Sequence, residues 1–298
     1  MTHADWIAID WGTTHMRAWA MQGRSPVAHL SSDKGMNSLS QEQFEPTLVA
    51  LIDPWLNTAT TDVVCCGMVG SRQGWVEAPY AAVPCNASQS TMVQAPTSDA
   101  RIRVHVLPGL SQAEPADVMR GEETQIAGFL ALNPSWDGVI CLPGTHSKWA
   151  QVSAGEVVSF QTFMTGEMFA LLSGHSVLRH STQSTDWDAG AFQSGLSDAM
   201  SRPEALAARL FRLRAAHLLH ATDAAASRAR LSGLLIGSEL AAAKPYWLGQ
   251  QVAVIGADAL ATHYVDALAA QSVPATHAKA EAMTLAGLTA AYRSLSSA

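Results

Sequence analysis

Trp6 to Ile9 is an uninterrupted apolar run of strand length, and it ends at a single carboxylate, Asp10. A Gly12-Thr13-Thr14 turn follows. Next comes an alternating run in which Met16, Ala18 and Ala20 stand against Arg17, Trp19 and Met21, the pattern of a second strand. Gly23 to Pro26 reads as a turn and Val27 to Leu30 as a third strand. Residues 31–40 are polar and loop-like. Phe44, Leu48, Leu51, Ile52 and Leu56 recur at helical spacing and predict a helix over 41–56. Val63 to Cys66 is a short buried strand that runs into a glycine-rich loop, Gly67 to Trp75. A loop rich in Pro, Ser, Asn and Thr is expected over 79–99, and a strand over 102–107 that stops at Pro108-Gly109. The segment from Asp117 opens a helix that runs to about Leu132.

The second half repeats the opening pattern. Gly138 to Leu142 is an apolar strand, followed by Gly144-Thr145-His146-Ser147-Lys148-Trp149 and, after Ala154-Gly155-Glu156, another strand over 157–162. Gly12-Thr13, Arg17 and Trp19 in the first copy answer to Gly144-Thr145, Lys148 and Trp149 in the second. Such a repeat suggests two domains of like topology, 1–112 and 113–298, each offering one hairpin to a shared cleft. Met164 to Phe169 turns a strand into a helix. Three alanine-rich amphipathic helices follow over 187–200, 204–220 and 223–243, and they suit internal packing or a homodimer contact equally. Gly233 and Gly237 in the third suit a flat ligand or tight helix packing. A buried strand over 252–255 then meets Gly256 and a helix, a junction that can hold a nucleoside against backbone. A short strand and a last helix run from Thr276 to the end.

These patterns carry chemistry. In a strand–turn–strand unit glycine allows close backbone approach, and the turn N–H groups and two hydroxyls can face phosphate oxygens. A carboxylate at the strand end suits a hydrated Mg²⁺, which prefers oxygen ligands and keeps several waters. Glu122 and Glu123 at a helix start favour the positive end of its dipole. Just upstream of the second hairpin, either is also in place to act as a general base toward a bound hydroxyl.

Composition narrows the class. The 298 residues carry a formal net charge of −7 and are 48% hydrophobic, which fits a compact two-domain protein and argues against general nucleic-acid binding. Cys65, Cys66, Cys85 and Cys141 form neither a disulfide framework nor a metal spacing. No run is long enough to span a membrane, and no leader pattern precedes Trp6, so a cytoplasmic protein is expected. The histidines do not cluster, and no Gly-x-Ser-x-Gly elbow supports acyl transfer.

Together, Ile9–Thr14, Gly67–Ser71, Val118–Gln125, Pro143–Trp149, Thr165–Glu167 and Leu231–Gly237 closely resemble the 2-dehydro-3-deoxygalactonokinases, a family of the actin/hexokinase/heat-shock ATPase superfamily. The resemblance runs from residue 6 to about residue 290. It implies an α/β fold of two RNase H-like domains, each a mixed sheet flanked by helices, around a central nucleotide cleft. It also implies ATP-dependent phosphorylation of 2-dehydro-3-deoxy-galactonate at its 6-hydroxyl, in galactonate catabolism. By the same resemblance Asp10 holds Mg²⁺, while Gly12, Thr13 and Thr14 form the first phosphate loop. Gly144, Thr145 and His146 form the second, and Gly256 with Ala257 marks the adenosine junction, with Gly237 beside it. Leu142-Pro143-Gly144 stands where the superfamily usually has Asp-x-Gly, so no second acidic metal ligand is evident. Glu122 or Glu123 is the expected base. The substrate side is expected to use Ser71, Arg72, Arg120, Lys148 and Glu167, with Arg72, Arg120 or Lys148 meeting the sugar-acid carboxylate. A kinase of this fold for another sugar acid or sugar, and an ATPase switch without a small substrate, are the alternatives.

Overall fold

The computed structural model describes residues 3–87 and 91–295. Residues 88–90 of the expected 79–99 loop and the last three residues of the expected final helix lie outside it. The chain opens with β1 (Trp6–Trp11), β2 (Met16–Gln22) and β3 (Ser25–Ser32), then α1 (Phe44–Ile52) and β4 (Thr61–Gly67). Next come β5 (Ala81–Ala82), β6 (Val93–Gln94), β7 (Ile102–Val106), β8 (Leu110–Gln112), β9 (Asp117–Met119) and α2 (Glu122–Leu132). The second half runs β10 (Gly138–Leu142), β11 (Ser147–Ser153), β12 (Glu156–Phe163), α3 (Thr165–His175), α4 (Ala189–Ser201), α5 (Leu206–His220), α6 (Ala224–Ala242) and α7 (Lys244–Trp247). It ends with β13 (Val252–Gly256), α8 (Asp258–Ala269), β14 (Ala275–Lys279) and α9 (Ala280–Leu295).

Two compact units form. The first takes the chain to Asp137, then 152–159 and the C-terminal segment from Lys279; the second takes 138–151 and 160–278. The division therefore falls after Asp137 and not near residue 112. Helix packing explains the difference. A Cβ on Gly128 of α2 would lie 1.9 Å from the Met283 carbonyl oxygen, and one on Gly287 of α9 2.0 Å from that of Thr124. Only paired glycines let these two helices meet backbone to backbone, which ties 113–137 and the last helix to the first unit.

The first unit is built on a six-stranded sheet of order β3-β2-β1-β4-β7-β6. Strand β1 pairs antiparallel with β2 and parallel with β4, which in turn pairs parallel with β7. Alternation along β1 serves both faces. Ile7, Ile9 and Trp11 join Phe44, Leu48 and Ile52 of α1 in one core cluster, and Trp6 and Ala8 pack with Leu288 and Ala291 of α9 in another. The Trp6 and Tyr292 rings stack 4.4 Å apart. A small sheet, β5-β8-β9, adds a parallel and an antiparallel pairing. Its last strand, Asp117–Met119, lies where the pattern predicts the opening of a helix. Gly121 at φ +108 breaks the chain between strand and helix, so α2 starts only at Glu122.

The second unit is built on a sheet of order β12-β11-β10-β13-β14, with β10 and β13 parallel. Val139, Cys141, Trp149, Val254 and Tyr264 lie in its core. All four cysteines are free. Among the described residues, no helix is long and apolar enough to cross a membrane.

Candidate active site

Asp10 stands at the carboxyl end of β1, in register with Arg17 of β2, and the two side chains form an ion pair. The hairpin between them closes through the Gly12 N–H, which donates to His15 O at 2.9 Å. A second loop backs the turn. Amide N–H groups of Gly35, Met36 and Asn37 donate to the carbonyls of Thr14, Gly12 and Thr13. That bonding turns the hairpin's acceptors inward and leaves Thr13 and Thr14 exposed, as an anion grip requires. Asp10, Gly12, Thr14, His15 and Arg17 line a cavity of about 330 Å³. Arg17 is a cation in this cavity that the pattern marked only through its match with Lys148.

Beside this hairpin the chain ends β4 on Gly67 at φ +91. A Cβ there would lie 2.7 Å from Trp11 O and 3.4 Å from Asp10 Oδ1. Gly121 comes close to the same point, its Cβ position lying 3.6 Å from Gly67 Cα. The end of β1, the end of β4 and the start of α2 thus converge. Between them lies the buried thiol of Cys66, 3.9 Å from Asp10 Oδ1. Burial first, then the charges of Asp10 and Glu123, push its pKa well up.

The two adjacent glutamates part company here. Glu123 is 2% exposed; its Oε2 accepts the Gly121 N–H at 2.6 Å and its Oε1 the Thr124 hydroxyl at 3.0 Å. Burial, followed by the charge of Glu122, raises its pKa to about 8. Glu122 is partly exposed, and its Oε2 meets the Arg120 N–H at 3.1 Å. The raised pKa has a consequence for stability. Between the ordinary value of 4.5 and about 8 the folded chain holds a proton that the unfolded chain has released. Stability from this group is therefore full at low pH and falls as pH rises through that window. Glu123→Gln is expected to flatten the loss of stability between about pH 4.5 and pH 8. Urea midpoints of both proteins across that range check it, and parallel curves would contradict it.

Arg120 immediately precedes this turn. Its Nη2 donates to Ala78 O at 2.8 Å and its guanidinium lies 4.3 Å from the Tyr80 ring centroid. Its Nε and Nη1 are buried without a hydrogen-bond partner, and so is the Ser71 hydroxyl. Gly70 makes the approach possible, since its Cβ position lies 2.9 Å from Arg120 Nη1. Of the residues expected on the substrate side, Arg120 thus reaches the turn that leads into Ser71. Arg72 stays in solvent: its side chain is 83% exposed and its nearest carboxylate, Glu77, is 4.0 Å away.

In the second unit the turn Gly144-Thr145-His146 joins β10 to β11 and is held by the first turn of α3. The Glu167 N–H donates to Thr145 O at 2.9 Å, and Glu167 Oε2 pairs with His146 Nε2 at 2.6 Å. A side chain at Gly166 would run into Gly144 O, 2.2 Å from its Cβ position. Glu167 thus braces the second hairpin, and Lys148 is a buried residue of β11. Gly144, Thr145, Thr165 and Gly166 form one edge of a cavity of about 530 Å³, whose other walls come from α3, α6, α8 and the loop that carries Thr185 and Trp187. Phe169 carries the Arg228 guanidinium 4.8 Å from its ring, and Trp187 stacks on His263 at 4.0 Å. The size and the aromatic walls suit a nucleoside.

Gly256 ends β13 against Pro143, Ala257 precedes α8, and Ala259 and Leu260 line the cavity. Gly237 is a correction to the expected adenosine contact. A Cβ there would lie 2.7 Å from Leu196 O, and Gly233 and Gly195 meet the facing helix as closely. These glycines let α4 and α6 pack, and the cavity is lined by Ser232, Leu235 and Ile236 instead. Trp187, His263, Phe169 and Arg228 carried no motif; only the tertiary fold assembles them.

Two mixed α/β units, one with an Asp-x-Gly-Thr hairpin and one with a Gly-Thr hairpin edging a nucleoside-sized cavity, define a small-molecule kinase of the actin-like ATPase fold. The family model for 2-keto-3-deoxy-galactonokinase matches residues 10–291, and the chain belongs to that family. A Rhizobium meliloti (strain 1021) protein described as a probable 2-dehydro-3-deoxygalactonokinase is 35% identical over 97% of both chains. The 2-dehydro-3-deoxygalactonokinase of Escherichia coli (strain K12) is 35% identical over 96% of both. The crystal structure of a candidate 2-dehydro-3-deoxygalactonokinase from Sinorhizobium meliloti superposes with a TM-score of 0.91 at 35% identity, covering 97% of this chain and 99% of that one. The chain is accordingly a carbohydrate kinase that uses ATP.

Proposed function

We propose that the chain transfers the γ-phosphoryl group of ATP to the 6-hydroxyl of 2-dehydro-3-deoxy-D-galactonate, giving the 6-phosphate and ADP, in galactonate catabolism. The observation that carries this reading is the Arg120 guanidinium, whose Nε and Nη1 are buried and unpaired against the Gly70 turn that leads into Ser71. Buried N–H groups of a cation left without acceptors are costly, and a bound carboxylate would satisfy them with charge-assisted hydrogen bonds. A neutral sugar would not.

Phosphoryl transfer asks little covalent work of a protein. It needs placement, charge neutralisation and a base for the attacking hydroxyl. The second-unit cavity takes the nucleoside, and the N–H groups of Gly144, Thr145 and His146 with the Thr145 hydroxyl suit phosphate oxygens; within the first unit, the N–H groups of Gly12, Thr13 and Thr14 with the two threonine hydroxyls suit an anion in the same way. Glu122 accepts the hydroxyl proton. Glu123, buried and with both oxygens occupied, holds the Gly121 turn that aims it.

Mg²⁺ fits the first hairpin. Asp10 offers oxygen ligands beside threonine hydroxyls, with room for waters in the adjoining cavity. Among the described residues no cluster of three or more His, Cys, Asp or Glu could hold a metal, so a water-rich ion on one carboxylate is the donor set at hand. When bound, the ion would neutralise phosphate charge.

Arg120→Ala is expected to raise the KM for the sugar acid about thirtyfold and to leave the KM for ATP nearly unchanged, since a hydrogen bond to a charged group contributes about 1.5–3 kcal/mol. Arg120→Lys should recover only part, because an ammonium cannot reproduce the planar fork. ADP release, measured over 2-keto-3-deoxy-aldonates and neutral sugars, tests both. Equal turnover of neutral sugars, or an unchanged KM in Arg120→Ala, would contradict the assignment.

A further inference from the structure

The kinase reading above leaves one buried acid without a task. Glu239 lies in the middle of α6 and is 3% exposed. A lone carboxylate at that depth is costly, yet this one is met by donors from three other elements. Trp149 Nε1 of β11 donates to its Oε1 at 2.8 Å, and the Tyr264 hydroxyl of α8 donates to its Oε2 at 2.8 Å. Thr165, the first residue of α3, and Ser147, the first residue of β11, also hydrogen-bond to it. The Ser147 and Tyr264 hydroxyls are themselves 3.0 Å apart. Burial raises the pKa of Glu239, and these donors counter the effect.

The positions of the donors tell more than their number. Ser147 directly follows the Gly144-Thr145-His146 turn. Thr165 and Tyr264 line the 530 Å³ cavity, and α6 contributes Ser232, Leu235 and Ile236 to its wall in the two turns before Glu239. The three helices that line the cavity and the strand that follows its phosphate edge thus meet at a single side chain, Glu239.

We propose that Glu239 is a positioning residue for ATP: by anchoring Ser147, Thr165, Trp149 and Tyr264 together, it presets the second hairpin and the cavity for the nucleotide. This rests on the assignment of that cavity to ATP, and it sets a role for a residue that touches no substrate. Glu239→Gln keeps the shape, but one of its two oxygens becomes an NH2 group that presents hydrogens to a donor instead of an acceptor. Tyr264→Phe removes one arm of the network and leaves the carboxylate in place.

Steady-state kinetics of the full chain, with calorimetric titration of ADP into the wild type and both variants, provide the test. The KM for ATP and the Kd for ADP should rise at least tenfold in Glu239→Gln and about threefold in Tyr264→Phe, as expected for lost hydrogen bonds around a charged group. The KM for the sugar acid should stay within about twofold in both. If Glu239→Gln does not fold, as judged by thermal melting, the Tyr264→Phe result alone decides. The proposal is overturned if ADP affinity is unchanged in the folded variants, or if both KM values rise together. A wild type that neither binds ADP nor releases it from ATP would instead overturn the kinase reading itself.

Discussion

Glu122→Gln is expected to lower kcat about a thousandfold, in the middle of the range for removing a general base, with both KM values little changed. The argument is one of access. Glu122 and Glu123 are neighbours at the start of α2, but a helix turns about 100° per residue, so only one can face the site. Glu123 points inward: it is buried, holds the Gly121 N–H and the Thr124 hydroxyl, and keeps its proton up to about pH 8. A carboxyl group that already carries a proton cannot take another from a sugar hydroxyl. Glu122 stays partly exposed, one residue past the Gly121 turn that brings α2 to Gly67 and the end of β1. Glutamine at 122 keeps an oxygen for the Arg120 N–H, so the fold should survive intact. Glu123→Gln should act differently, altering the pH dependence of stability and costing far less in kcat. Should the two variants exchange these effects, Glu123 would be the base. Coupled ADP-release assays beside urea melts of both proteins decide between them.

The contrast between these two residues also marks how far the amino-acid pattern carries. Both Gly-Thr hairpins, the strands that frame them and the carboxylate at the end of β1 are local features, set by apolar periodicity and turn chemistry within a dozen residues. They were legible. The choice between Glu122 and Glu123 was not, because it depends on which face of α2 meets the core, and the charge pattern at the helix start is the same for both. Arg120, Arg72 and Lys148 were likewise equivalent as cations. Burial separates them: Arg72 is in solvent, Lys148 lies within β11, and Arg120 keeps buried, unpaired N–H groups against Gly70. The glycines of α6 carried two readings, and their closeness to Phe192 and Leu196 of α4 selects helix packing. The cavity proposed for the nucleoside was the least legible part. Phe169, Trp187, Arg228 and His263 are far apart in the chain and meet only once three helices have docked.

Asp10→Asn should also cost about a thousandfold in kcat, through lost charge and not through lost shape. Asparagine fills the same space at the end of β1 and still offers one oxygen, but it brings no negative charge to the cavity that Gly12, Thr14, His15 and Arg17 complete. Two effects follow from the same missing charge. The site loses the carboxylate that suits a hydrated Mg²⁺, so the Mg²⁺ concentration needed for half-maximal rate should rise well above that of the wild type. Arg17 also loses its ion-pair partner and is left free to swing toward other acceptors in the cavity. Stability should change little, because Arg17 is 38% exposed and such pairs contribute about 1 kcal/mol or less. Arg17→Met separates the two effects. It removes the cation and spares the carboxylate, so it should slow turnover without shifting the Mg²⁺ requirement. Rates measured against Mg²⁺ concentration for the wild type, Asp10→Asn and Arg17→Met carry the decision. Near-full turnover in Asp10→Asn at ordinary Mg²⁺ would remove Asp10 from the reaction. An equal rise in Mg²⁺ requirement for both variants would mean that Asp10 serves to hold Arg17 and not the metal.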